Sequence, residues 1–350
     1  MKIIHAADIH FCSRIDYPFQ KERKEEIRNS FLRMVEYAEE QKVSAILLSG
    51  DIFDSNTPGI KDMEFFISVI KEHSRIQFYY LRGNHDFKNS LSNYEIGNLN
   101  LFSDTWRYYE MNDVVIAGIE MNSSNYLSMY SSLNLDKQKT NVVLLHGKIS
   151  ESDSVESIRL SKLKDKNIDY LALGHIHSYQ QSRIDDRGMY CYSGCLEPRG
   201  FDETGKKGFV LLEILDGKIN SSFVPFAVRE FHKVTLDVSD CDSYLSLLNQ
   251  VKKEVPLDKK DMYQITFTGE TAFEIQDVML RIQEYFRDQA CYLEFIDSTL
   301  PKIDCRKYEN EFSVKGEFVR TVLAEESLSE AEKNEILSCG LKALEGRDIE

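Results

Sequence analysis

Five short apolar runs in this 350-residue chain each lead into a side chain that can hold a metal ion. Asp8 and His10 follow residues 2–7 (KIIHAA), Asp51 follows 45–49 (AILLS) and Gly50, and Asn84 follows 76–81, Arg82 and Gly83. His146 follows 141–145 (NVVLL), while His175 and His177 follow 168–173 and Gly174. Apolar runs of this length, rich in β-branched residues and bounded by Gly or polar residues, read as buried strands. Open α/β sheets present their ligands outside the carboxyl ends of the strands. Side chains scattered from Asp8 to His177 are therefore expected to converge on one edge.

His, Asp and Asn form a mixed nitrogen and oxygen donor set with no thiolate. Such a set points to Mn²⁺ or Fe²⁺, with Zn²⁺ or Mg²⁺ as alternatives. Asp51, alone at its strand end, has two carboxylate oxygens and is the natural bridge between two cations. Two ions about 3.5–4 Å apart can clamp a phosphate, activate a water and stabilise a leaving oxygen. Gly50, Gly83 and Gly174 allow sharp turns and close backbone approach. Each motif alone has a plainer explanation. Gly-Asn-His-Asp over 83–86 also fits a turn with capping residues, and Gly-His-Ile-His over 174–177 fits a strand end with a buried His. Their joint occurrence, each after a strand, favours the metal reading.

These motifs resemble the calcineurin-like metallophosphoesterases. Asp8-Ile9-His10, Gly50-Asp51, Gly83-Asn84-His85, His146 and Gly174-His175-Ile176-His177 carry the resemblance, over residues 1 to about 225. It implies one metal on Asp8, His10, Asp51 and His177, and a second on Asp51, Asn84, His146 and His175. His85 is then a catalytic residue, facing the substrate and protonating the leaving oxygen. Asp54 resembles the acid that hydrogen-bonds this His. A carboxylate there raises the His pKa and fixes its tautomer, although Asp54 also fits a helix N-cap or turn residue.

Departures from the pattern narrow the substrate. Protein Ser/Thr phosphatases carry GDxxDRG, whose Arg grips a phosphomonoester, whereas this chain has Ser55 after Asp54. A diester, with one negative charge, needs that Arg less. Gly50–Asp54 and 83–86 look more like the bacterial SbcD nucleases. The segment Ser193-Gly194-Cys195-Leu196-Glu197-Pro198-Arg199-Gly200-Phe201-Asp202-Glu203, followed by 205–209, is similar to the shorter YhaO-like DNA repair exonucleases. Read from its residues, it is a strand, a Gly-rich loop with Arg199, Lys206 and Lys207, and another strand. Such a loop can touch nucleic-acid phosphates, with Arg199 as a substrate-binding residue, or form a plain hairpin under the sheet. The resemblance implies a DNA 3′→5′ exonuclease with some endonuclease action, paired with an SbcC-type coiled-coil ATPase, and leaves a homodimer open. The rival enzymatic reading is a small-molecule phosphodiesterase acting on cyclic nucleotides or nucleotide-lipids.

The expected fold is α/β: a two-sheet α/β/β/α sandwich over 1–228, with ligands on loops at one end. Helices are expected at 22–41 and 60–73 from their apolar spacing. Residues 120–140, rich in Ser, Asn and Tyr, read as a loop or short helix beside the site. From 229 to 300 a β-α-β-α-β order makes a small α+β domain, matching the SbcD-type capping domain in place and pattern. Residues 301–350 form a helical segment whose apolar faces need a partner or the protein body. In the family that segment docks on the ATPase.

The net charge of −15 argues against a strong intrinsic grip on DNA. Either Arg14, Lys21, Arg23, Lys24, Arg82 and Arg199 cluster locally, or a partner supplies the grip. Seven cysteines without a CxxC pair and a strand starting at Met1 fit a cytoplasmic protein with free thiols and no signal peptide. No apolar run approaches a membrane span. Cys12 is expected to be packing.

Overall fold

A computed structural model describes residues 1–13, 20–86, 88, 91–273 and 275–344. The chain divides into two compact units, Met1–Glu230 and Phe231–Glu350.

The first unit holds two six-stranded sheets. In the first sheet, Lys2–Ala6, Ala45–Ser49, Gln77–Leu81 and Leu99–Leu101 run parallel in that order. Gly208–Leu215 joins Lys2–Ala6 antiparallel and pairs outward with Lys218–Pro225. In the second sheet, Val114–Gly118, Thr140–His146, Tyr170–Gly174 and Met189–Tyr192 are parallel neighbours. Arg107–Met111 and Gln180–Arg183 form its antiparallel edges.

Alternation along the strands builds the layers, because successive side chains point to opposite faces. Ile46 and Leu48 face one core with the helices, while Ala45 and Leu47 face a core between the sheets. Val142 and Leu144 share that central core, and Val143 and Leu145 face the outer side of the second sheet. Runs buried on both faces therefore read as continuous apolar stretches. Helix Gln20–Glu40 lays Ile27, Phe31, Met34, Val35 and Ala38 on the first sheet, and Ile60–Glu72 adds Met63, Phe66, Ile67 and Ile70. The ring of Phe66 lies 5.6 Å from that of Phe31 and 5.4 Å from that of Phe53. Burying such rings stabilises each by about 1.5–3 kcal/mol. The outer face of the second sheet is covered more lightly, by the short helix Met129–Ser132, the 3₁₀ turn Leu160–Lys162 and loops.

In the second unit Phe231–Asp237, Met262–Thr271 and Tyr292–Pro301 form a parallel sheet in chain order. Helices Tyr244–Glu254 and Gln276–Phe286 connect them, so the order is β-α-β-α-β. Ser243 opens the first of these helices with a capping box. Beyond lie Arg306–Glu309, Val314–Ala324 and Glu330–Leu344. The last two turn apolar faces toward each other, burying Val319, Val322, Leu337 and Leu341. Among the described residues no helix is long and apolar enough to cross a membrane. All seven cysteines are free thiols, and Cys12 donates to Asp62 Oδ2 at 2.7 Å.

Candidate metal centre

The five strands end where the sequence placed the donors, and their loops are laced together. Asp8 N donates to Gly50 O and His10 N to Asp51 O, each at 3.0 Å. Asp8, His10, Asp51 and His175 all take positive φ, at 53°, 54°, 51° and 99°. That region costs a non-glycine residue about 1–2 kcal/mol, and such strain gathers at functional sites. A Cβ on Gly83 would overlap Asp51 Oδ1, and one on Gly174 would overlap the Ser49 carbonyl. Glycine is required at both.

Among the described residues three donor clusters result, His10 with Asp54 and His85 and two made only of the assigned metal ligands. One oxygen or nitrogen each from Asp8, His10 and His177 lie within 4.8 Å of one another, as do those of Asp8, Asp51 and His146. His10 Nε2 stands 3.3 Å from His177 Nε2. His146 Nε2 stands 3.3 Å from Asp51 Oδ2 and 2.9 Å from Asn84 Oδ1, which is 3.3 Å from His175 Nδ1. Donors bound about 2.1 Å from one ion are about 3.0–3.4 Å apart, so these spacings fit divalent cations. Asp51 Oδ2 is also 3.9 Å from His10 Nε2, which puts this one carboxylate beside both clusters. All seven side chains assigned to metal are thus brought together.

The outer nitrogen of three imidazoles is tied to an oxygen. His10 Nδ1 faces Asp54 Oδ1 at 2.9 Å, His146 Nδ1 faces the Ser49 carbonyl at 2.9 Å, and His177 Nδ1 faces Glu203 Oε1 at 2.7 Å. Each contact leaves Nε2 to face inward, the usual arrangement around a metal. Asp54 Oδ1 also lies 3.2 Å from Nδ1 of His85, whose side chain is 47% exposed. Asp54 therefore orients a donor imidazole as well as His85.

The charges are strongly coupled. Burial raises Asp8 to about 6, against the pull of His146 and His177. Burial also works against Asp51, but the neighbouring His146 and His10 hold it well below the usual carboxylate range. His146 is lifted to about 9, since Asp51 and Asp8 outweigh its desolvation. Burial lowers His10 to about 4. The hydrogen bond to Asp54 raises His85. An imidazolium held by buried carboxylates is a group from which an incoming cation displaces a proton.

The loop after Met189–Tyr192 supports this centre from below. Arg199 Nη2 and Nε contact Glu203 Oε1 at 2.8 and 3.1 Å, and Nη1 lies 3.5 Å from Asp54 Oδ1. Lys207 is buried, and its Nζ donates to the His177 carbonyl at 2.8 Å. Two of the three basic residues of this loop thus contact site residues, and of the three only Lys206 is fully exposed. Arg23 donates to the Pro198 carbonyl at 2.6 Å, beside Glu26 and Glu197. Arg82 is clasped by Glu120. Arg14 lies outside the described residues. Sequence reasoning gave no role to Glu203, or to Asp86. Asp86 is fully buried and accepts from Gly83 N at 2.7 Å, Ile52 N at 2.9 Å, Phe53 N at 3.2 Å and Tyr80 Oη. It locks the Asp51 and Asn84 loops together. Its signal was in the sequence, as the acid closing the Gly-Asn-His-Asp turn. Glu203 was marked only by its spacing of four from Arg199 and from Lys207.

Residues 1–179 match the calcineurin-like phosphoesterase family, just over half of the chain. The chain belongs to that family. Its members depend on two metal ions, and this phosphoesterase has the groups to hold them. The phosphoesterase is 26% identical over 284 residues to the uncharacterized metallophosphoesterase YhaO of Bacillus subtilis, covering 72% of this chain and 67% of that protein. It is 23% identical over 376 aligned positions to the DNA double-strand break repair protein Mre11 of Sulfolobus acidocaldarius, covering 100% and 92%. Among solved structures, a dimetal phosphatase from Danio rerio aligns with a TM-score of 0.45 at 11% identity, over 62% of this chain and 93% of that one.

Proposed function

We propose that this phosphoesterase is a DNA phosphodiesterase, a 3′→5′ exonuclease with some endonuclease action, serving as the nuclease subunit of an SbcCD-like repair complex. The observation that carries the phosphodiester chemistry is the pair of donor clusters that meet at Asp8, with the Asp51 carboxylate beside both and His85 oriented next to them by Asp54. We assign one ion to Asp8, His10, Asp51 and His177 and the other to Asp51, Asn84, His146 and His175, with Mn²⁺ as the favoured metal. Bound there, the ions supply a clamp for the non-bridging oxygens and an activated water. The chain's own groups do the rest. His85, raised by Asp54, stabilises the developing charge and delivers a proton to the leaving 3′-oxygen. Arg199 and Glu203 fix Asp54 and His177. The absence of an Arg at position 55 favours a diester over a monoester.

The DNA part of the reading is supported by the alignment with Mre11 across the second unit as well as the first. Residues 229–300 would select DNA shape, and 301–350 would dock the ATPase. The charge of −15 favours the second reading, a small-molecule phosphodiesterase. Cleavage of single- and double-stranded oligonucleotides with Mn²⁺, against a cyclic-nucleotide panel, separates the two. Turnover confined to the cyclic nucleotides would replace the first reading by the second.

A further inference from the structure

The loop that supports the metal centre is held from behind by a buried ionic network outside the donor clusters. Arg23, on helix Gln20–Glu40, and Glu197, on the loop, are both buried, as is Ser30. Arg23 Nη2 lies 3.5 Å from Glu197 Oε2, and Nη1 contacts Glu26. Glu26 is shared with Arg229, whose Nε donates to Oε1 at 2.9 Å. Glu197 Oε1 accepts from Ser30 Oγ at 2.6 Å and from Val228 N at 2.7 Å. At the far end of the loop the Lys207 carbonyl accepts from Phe226 N at 2.8 Å and Ala227 N at 3.2 Å. The helix and residues 226–229 thus pin the loop at both ends. A buried ion pair adds little net stability over apolar packing, because desolvation offsets its attraction. Its contribution is directional instead, since a guanidinium presents its donors in a rigid fork.

One of those directions leads to the metal centre. Arg23 Nη2 donates to the Pro198 carbonyl at 2.6 Å. The N–H of the same peptide unit, that of Arg199, donates to Glu203 Oε2 at 2.7 Å. A trans peptide unit is planar, so holding its carbonyl also aims its N–H. The other oxygen of Glu203, Oε1, lies 2.7 Å from His177 Nδ1. A line of direct contacts therefore runs from Arg23 through the 198–199 peptide and Glu203 to the His177 ring. The donors assigned to the second ion are held by other means, His146 by the Ser49 carbonyl and the Asn84 loop by Asp86.

We propose that Arg23 is a positioning residue of the metal centre, acting on His177 through the Pro198–Arg199 peptide and Glu203. Glu197 keeps the guanidinium in place for that task. The inference rests on the assignment of His177 to the first ion and extends it to a residue on a helix behind the site. Its effect is confined to the ion assigned to Asp8, His10, Asp51 and His177.

The test uses the full chain carrying Arg23→Met together with Glu197→Gln. Both charges go at once, so neither is left buried alone, Glu26 keeps Arg229, and Gln keeps an acceptor for Ser30 and Val228. Mn²⁺ calorimetry should show one site weakened about tenfold, the low end of the usual cost of losing an outer partner of a metal ligand, and the other unchanged. Arg23→Lys, which keeps the charge and can still donate to the Pro198 carbonyl, should recover part of the loss. A merely structural role would lower the urea midpoint and leave both affinities of the folded chain alone. Two sites of wild-type affinity in the double variant, or equal weakening of both, overturns the proposal. Histidine ¹⁵N spectra of the metal-free chain give a second reading, with His177→Gln assigning the resonance. His177 should carry its proton on Nδ1 in the wild-type chain and lose that preference in the double variant, and an unchanged tautomer there overturns the proposal as well. If the wild-type chain binds fewer than two ions, the metal assignment fails and the tautomer alone decides. If the double variant does not fold, Arg23→Lys carries the comparison, and wild-type behaviour in both measurements overturns the proposal.

Discussion

Glu203 Oε1 lies 2.7 Å from Nδ1 of His177, and on the other side of the ring Nε2 lies 3.3 Å from Nε2 of His10. The carboxylate thus fixes which nitrogen is available to a cation. Glu203→Gln should keep the fold and weaken one metal site about 10–100-fold, the usual cost of losing such a partner. Titration calorimetry with Mn²⁺ should resolve one weakened and one near-native site. Two sites of wild-type affinity would refute a positioning role for Glu203.

Gly83 has no room for a methyl group, because its Cβ would strike Asp51 Oδ1 and the Asp51 amide. Gly83→Ala should displace the shared carboxylate and destabilise the chain by about 1–3 kcal/mol, as overpacking does. Elemental analysis should find both ions depleted together, since Asp51 is proposed to bind both. Full metal content in a stable Gly83→Ala protein would refute the shared role.

His5 sits in the first apolar run yet has nothing to do with the donor clusters. It is fully buried, and its Nδ1 lies 2.9 Å from Tyr170 Oη on the other sheet. Burial pushes it from the ordinary 6.5 down to about 3. The folded chain keeps this ring neutral where the unfolded chain takes up a proton. Its contribution is therefore intact above pH 6.5 and is lost as pH falls from 6.5 toward 3. Between pH 7.5 and pH 5 the loss should be about 2 kcal/mol. His5→Phe should flatten that part of the stability curve in urea titrations. An unchanged slope would mean that other groups set the acid sensitivity.

Much of the centre was legible because strand periodicity and ligand chemistry coincide. Each run buried on both faces ends at a donor, and only glycine fits at 83 and 174. The order of the second unit was legible too, since each helix shows its apolar spacing and each strand its β-branched run. What escaped was support that depends on tertiary approach. The sequence places Lys207 and Arg199 in a polar loop, where a basic residue reads as a phosphate contact. Only the fold shows Lys207 capping the His177 carbonyl and Arg199 joined to both Glu203 and Asp54. Asp54 read as one partner of His85, while its second partner, His10, arrives from a different strand. The mutual packing of the last two helices, through Val319, Val322, Leu337 and Leu341, likewise cannot be read from either helix alone.

The central claim is that a Mn²⁺-loaded centre cleaves DNA diesters with His85 acting on the leaving oxygen. The most direct measurement is degradation of a linear duplex and of single strands by the wild-type chain and His85→Ser, with metal content determined for both. The wild-type chain should bind two ions and cut DNA. His85→Ser should also bind two ions but turn over about 10²–10⁴-fold more slowly, the usual range for a lost general acid. Equal rates in the two proteins, or a fully loaded wild-type chain that cuts no DNA, would contradict the account.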